Sequence, residues 1–258
     1  MTAPPPLSAY IRARNEARLI ADVVTAALRV ADEVVVIDSG STDDTVARAE
    51  GAGARVIRQE WLGNGRQKRF AEEQCRHDWL LDLDADEIVT AELAEEISAL
   101  FKDGEPAQRV YRIELAIAPP FGDPWRGFGG VIRHKLYDRR VVRAPDHVAW
   151  DQFEIPAGVT VGALSGNILH YAFSDTAHLV DKLNRNSSTR ARELKPKPAP
   201  ILILRIFFGL PFYVAKRYLL NGLFRGGVYG FAFSMMSGFG RWMRDVKMYE
   251  RLRREREK

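Results

Sequence analysis

The run Glu33-Val34-Val35-Val36-Ile37-Asp38 leaves the chain few choices of fold. Four consecutive β-branched residues resist helix and suit a pleated strand. The run has no polar alternation, so both of its faces need cover, as in a parallel sheet flanked by helices. A second short apolar run, Leu80-Leu81-Asp82-Leu83, leads straight into Asp84-Ala85-Asp86-Glu87. Around these two runs the pattern alternates. Residues 7–12 read as a first strand, followed by a helix capped by Asn15 with Leu19, Val23 and Val30 at helical spacing. Ser41 and Asp44 resemble a capping box for a second helix that reaches Glu50 and is stopped by Gly51 and Gly53. Residues 54–58, 65–76 and 79–83 continue as strand, helix and strand. Such alternation predicts an α/β chain with parallel strands joined by crossovers.

Strand ends are where a parallel α/β sheet places its ligands. Asp84 and Asp86 are two apart, so in an extended strand they point to one side. That pair suits a hard divalent cation carrying substrate phosphates, and it also suits a solvated acidic turn before a helix. Asp38 ends the second strand, either as a turn residue or as an acceptor for a ligand across the strand ends. Arg66, Lys68 and Arg69 open the third helix, where they either neutralise a diphosphate or form a solvated face. Arg12-Ala13-Arg14-Asn15-Glu16 stands where a dinucleotide fold needs Gly-x-Gly-x-x-Gly, and no Gly-Lys-Ser/Thr loop occurs.

Several of these stretches together resemble the family 2 inverting glycosyltransferases of GT-A fold. They are Arg14-Asn15-Glu16, Ile37-Asp38-Ser39-Gly40-Ser41-Thr42-Asp43-Asp44-Thr45 and Leu83-Asp84-Ala85-Asp86-Glu87. Trp61-Leu62-Gly63-Asn64-Gly65, Gln67-Lys68, Ile168-Leu169-His170-Tyr171, the surroundings of Lys182 and Asn184, and the Gly-rich aromatic segment 221–233 resemble the lipopolysaccharide-core β-glycosyltransferase branch. The resemblance implies a nucleotide-diphospho-sugar transferase fold, with a mostly parallel central sheet and a C-terminal helical, membrane-associating extension. It implies that Asp38 contacts a nucleobase, commonly uracil, that Asp84 lies near the ribose, and that Asp86 binds a divalent metal, Mg²⁺ or Mn²⁺. Arg12 or Arg14 would lie near the nucleotide, with Lys68 beside the donor. Asp84 and His170 are further candidates for the metal.

Inverting transfer needs a carboxylate base for the attacking hydroxyl. In the resembled branch that acid follows a His in a Val-His-Glu segment. Here Val148-Ala149-Trp150-Asp151 stands nearest, which makes Asp151 the first choice, with Asp146 and Glu154 behind it. The loop 119–130 carries Phe121, Trp125 and Phe128, either to cover a bound sugar or as an ordinary packed loop.

Charge is divided along the chain. Residues 1–181 hold 20 basic and 29 acidic side chains, and residues 182–258 hold 18 and 5, giving −9 and +13. The basic part also contains the apolar and aromatic run 201–220, which Arg205, Lys216 and Arg217 interrupt and Pro211 kinks. This reads as an interfacial segment at an anionic membrane surface rather than as a span. No helix-turn-helix, RNA-binding or zinc signature is present, so nucleic acid is not an expected partner. A lone cysteine and no leader pattern at the N-terminus fit a cytoplasmic protein, peripheral on an inner membrane. The expected domains are 1–173, split into a donor side 7–118 and an acceptor side 119–173, and a helical extension 174–258. The expected reaction is transfer from a nucleotide-sugar, UDP-linked foremost, to a lipopolysaccharide-core or other lipid-linked acceptor. A nucleotidyltransferase, or a membrane-docked binding protein without transfer, is the alternative.

Overall fold

The computed structural model describes residues 6–195 and 197–256. Residues 1–5, read above for a leader, lie outside it, as do Pro196 and the last two residues of the basic terminus. The chain divides into two compact units. One runs to Ala116 and resumes over Val131–His170; the other comprises Ile117–Gly130 and the chain from Tyr171 onward.

The first unit is built on an eight-stranded sheet in the order β3-β2-β1-β4-β7-β6-β8-β5. Its strands are β1 (Leu7–Ala13), β2 (Glu33–Asp38), β3 (Arg55–Arg58), β4 (Trp79–Asp84), β5 (Glu87–Val89), β6 (Val110–Ile117), β7 (Val131–Asp138) and β8 (Val161–His170). The half predicted from alternation, β3-β2-β1-β4, is parallel throughout. β7 joins β4 antiparallel and pairs with β6, while β5 pairs with β8. The β-branched strand β2 is buried along its whole length, whereas β3 at the sheet edge is half-exposed.

Helices α1 (Ile20–Ala27), α2 (Thr45–Gly51), α3 (Asn64–Gln74) and α4 (Ala91–Phe101) pack on this sheet. In α4, Leu93, Ala94, Ile97 and Phe101 form a buried stripe, and the Thr90 side chain accepts from Leu93 N at 3.3 Å as its cap. The two caps expected earlier do not form. Asn15 adopts φ 56° and accepts from Thr42 N at 2.8 Å, fastening the β1 exit to the β2 exit. The Ser41 hydroxyl accepts from Asn15 N at 2.9 Å instead of capping α2, whose N-cap residue is Asp44. Short Asn and Ser side chains can accept from backbone N–H groups outside helices as well as at helix ends.

The second unit contains α5 (Thr176–Glu193), α6 (Ala199–Ala215) and α7 (Gly227–Arg256). Asp175 caps α5 by accepting from His178 N at 2.8 Å. Trp125 of the loop 119–130 is buried in a cluster with Phe173, Leu179, Leu223 and Phe233, so it serves as a packing residue of this unit. α6 continues through Pro211 and passes into a π-helical turn, Lys216–Leu220.

Contrary to the reading of interrupted windows, Ala199–Leu220 is long and apolar enough to cross a membrane by length and composition. The structure divides this helix into two faces. Leu202, Gly209 and Tyr213 are buried. Arg205 and the Tyr213 hydroxyl both donate to Asp245 of α7, at 2.9 and 2.7 Å, and Trp242 Nε1 donates to Ile206 O at 2.8 Å. On the other face Leu204, Phe207, Phe208 and Phe212 are exposed, Phe207 by 75%. Leu220, Phe224, Val228 and Phe231 of the following segments are exposed as well.

Candidate active site

A cavity of about 210 Å³ opens in the first unit, bordered by the ends of β4 and β8, by β7 and by the segment after it. Its lining includes Lys68, Asp84, Glu87, Arg133, Lys135, Asp151 and His170. Asp84 and Asp151, 67 residues apart in sequence, therefore meet at one cavity. The other two base candidates stand elsewhere. Asp146 is exposed and paired with Arg66 at 2.9 Å, and Glu154 is exposed and not among the lining residues.

Parallel register places Arg12 of β1 directly beside Asp84 of β4. The Arg12 guanidinium donates to the Asp84 carboxylate and, at 3.3 Å, to Asn64 O. Burial pushes the Asp84 carboxyl upward, but Arg12 first, then Lys135 and Lys68, hold it well below the usual carboxylate range. Arg14, two residues further along, is exposed at the strand exit. Asp38 is buried at the end of β2, and its carboxylate accepts Gly40 N and Ser41 N at 3.1–3.2 Å.

Asp86 sits just past β4 with an oxygen 3.4 Å from His170 Nε2. The antiparallel pairing of Glu87 with His170 brings that imidazole to the acidic turn. Among the described residues no group of three or more His, Cys, Asp or Glu side chains is gathered for a metal. The donor set is therefore a carboxylate with a nearby imidazole rather than a closed cage. It fits Mg²⁺ or Mn²⁺, which take one or two protein carboxylates and complete their shell from phosphate and water.

Beneath the cavity lies a ladder of alternating charge that the sequence did not disclose. Glu87 accepts Asp84 N at 2.9 Å and the Lys135 ammonium at 2.6 Å. Lys135 lies 3.9 Å from Asp82, Asp82 accepts Lys68 at 2.6 Å, and Lys68 lies 3.5 Å from Asp151. Glu87, Lys135, Asp82 and Lys68 are all buried. Burial works against the Lys135 ammonium, yet Asp82 and Glu87 outweigh it and keep the group protonated. Lys135 is one of several charged residues of β7. Its meaning depends on carboxylates 48 and 53 residues away in the chain.

The segment carrying Asp151 is seated on α3. Asn64 N donates to Val148 O at 2.7 Å, Gly65 N to His147 O at 3.0 Å, and Asn64 Nδ2 to Ala149 O at 3.1 Å. Arg69 Nε donates to Ala144 O at 2.6 Å, and Ala144 N donates to Glu72 at 2.8 Å. A Cβ on Gly65 would lie 2.5 Å from Pro145 O and 2.8 Å from His147 O, so only glycine admits this approach. The first amides of α3 are thus taken by protein carbonyls. Gly63-Asn64-Gly65 works as a seat for the Asp151 segment. Of the three cations that open α3, Arg66 faces Asp146, Lys68 faces Asp82 and Asp151, and Arg69 holds Ala144.

A parallel half-sheet with carboxylates at its strand ends, closed by antiparallel strands, is the GT-A glycosyltransferase fold. TarS 1–349 of S. aureus shares it, with a TM-score of 0.50 and 13% identity over 97% of this chain and 92% of that one. The model of glycosyl transferase family 2 matches residues 8–153, more than half of the sequence, and the chain belongs to that family. A protein of Rickettsia felis described as an uncharacterized glycosyltransferase is 32% identical across 95% of this chain and 90% of its own length. The lipopolysaccharide core biosynthesis glycosyltransferase LpsC of Rhizobium meliloti is 28% identical across 95% and 93%.

Proposed function

We propose that this glycosyltransferase moves a sugar from a nucleotide-sugar, a UDP-sugar foremost, to a lipopolysaccharide-core or other lipid-linked glycan, with inversion. The observation that carries this reading is the meeting of Asp84 and Asp151 at one cavity beside Asp86. Asp38 at the end of β2 accepts a nucleobase N–H. Arg12 holds Asp84 in place for the ribose, and Arg14 at the strand exit lies toward the nucleotide. Asp86, with Asp84 and His170, would hold the divalent metal. When bound, the metal neutralises the negative charge of the leaving diphosphate. Asp151 accepts the proton of the acceptor hydroxyl, whose oxygen forms the new bond to the anomeric carbon as the bond to the nucleoside diphosphate breaks. Burial alone would raise the Asp151 carboxyl. Lys68, then Gln152 and Arg12, bring it below its ordinary value, which keeps it ionised and ready for that proton at neutral pH.

We further infer that the enzyme works as a peripheral protein on the cytoplasmic face of the inner membrane. The apolar face of α6 supports in-plane contact. If α6 spanned the bilayer, Arg205 and Asp245 would have to enter the hydrocarbon with it. Lying in the interface, the helix buries its phenylalanines and leaves the Arg205–Asp245 face to α7. The homology to LpsC supports a lipopolysaccharide-core acceptor. The test is transfer of labelled sugar from a nucleotide-sugar panel to rough-core lipopolysaccharide in the presence of Mn²⁺. Incorporation that depends on Asp151 supports the reading, and label reaching only water or protein argues against it.

A further inference from the structure

Lys68 belongs to the expected donor-binding residues and lines the cavity, and its surroundings point to a further task. Its ammonium is buried between two carboxylates, 2.6 Å from Asp82 and 3.5 Å from Asp151, with the Phe153 ring 5.7 Å away. Asp82 is fully buried, and its second oxygen, Oδ1, has no hydrogen-bond partner. Asp82 therefore has no role toward solvent or the open cavity. It faces Lys68, and more distantly Lys135, from below.

We propose that Lys68, anchored by Asp82, is a positioning residue for Asp151, fixing the orientation of that carboxylate at the cavity wall. This rests on the assignment of Asp151 as the base.

The geometry separates two tasks that share one helix. Gly65 and Asn64 fix the backbone ahead of Asp151, and Lys68, one turn further along α3, fixes its side chain. The side chain is only partly buried; its Oδ1 accepts from Gln152 Nε2 at 3.0 Å, and its Oδ2 faces Lys68 at 3.5 Å. The groups facing it are Lys68 from α3, Arg12 from β1, Asp84 from β4 and its neighbour Gln152. Asp84 opposes the ionised form, while Lys68 is the foremost of the two cations that favour it. An opposite charge at this range typically lowers a carboxylate by about 1–3 pH units.

The test is a carboxyl-carbon NMR titration of the full chain labelled at aspartate, with Asp151→Asn identifying the Asp151 signal. Lys68→Met should raise the Asp151 midpoint by about one pH unit, and Lys68→Arg should restore most of the shift. Lys68→Met strands a buried Asp82, so Lys68→Met/Asp82→Asn is measured beside it and should show the same upward midpoint in a folded protein. A midpoint unchanged in both variants overturns the inference, because loss of stability alone does not move it. The turnover of Asp151→Asn is read separately. A moved midpoint with a fully active Asp151→Asn would keep the Lys68–Asp151 link and remove only the base assignment.

Discussion

Arg12 and Asp84 face each other across the parallel pairing of β1 and β4, and their side chains form an ion pair at the ends of the two strands. The Arg12 side chain is nearly buried, whereas Asp84 is 38% exposed, so water screens part of the attraction. Arg12→Met should cost about 1–2 kcal/mol in chemical denaturation, less than for a fully buried pair. The pH dependence has a definite sign. Asp84 is lowered in the folded protein, so its contribution is complete above its unfolded value near 3.9 and is lost as the pH falls through the lower folded value. The stability gap between the parent and Asp84→Asn should hold at neutral pH and close under strong acid. A gap that widens on acidification contradicts the pairing.

Gly65 should tolerate no side chain. Gly65→Ala drives a methyl into the carbonyls of Pro145, His147 and Trp150. The expected result is a loss of about 1–3 kcal/mol, with turnover falling further than donor affinity because the displaced segment carries Asp151. Donor binding and turnover falling in equal measure would show that the segment is not specific to the chemical step.

Asp151→Asn should lower kcat by about 10²- to 10⁴-fold and leave the donor KM near its parent value. Full activity in this variant, with loss in Asp146→Asn or Glu154→Gln, would move the base assignment to one of those exposed acids.

The exposed face of α6 predicts a membrane readout. Replacing Phe207, Phe208 and Phe212 together by Ser should change stability little, because all three are exposed. Flotation with anionic vesicles should fall sharply, and high salt should weaken but not abolish the binding of the parent chain. Unchanged flotation assigns this face to contacts between proteins.

Much of this architecture is visible in the sequence wherever the cause is local. The buried β2, the alternation through β4, and Asp84 and Asp86 at a strand end follow from side-chain pattern alone. What pattern conceals is register between distant segments. Lys135 reads as one polar residue in a strand until β7 lies against β4 and its ammonium meets Glu87. Gly63 and Gly65 carry no local sign of residues 145–150, whose backbone fills the space above them. The faces of α6 are hidden for a similar reason. Arg205 interrupts an apolar run in sequence, yet in space it turns away from the phenylalanines to meet Asp245.

The most direct test of the central claim is calorimetry of UDP binding with and without Mn²⁺, on the parent chain and on Asp86→Ala. The account predicts that Mn²⁺ tightens UDP binding to the parent at least tenfold, and that Asp86→Ala abolishes this gain while remaining folded. Equal Mn²⁺-dependent binding in the two proteins would contradict the assignment of Asp86 and, with it, the account of how this site holds its donor.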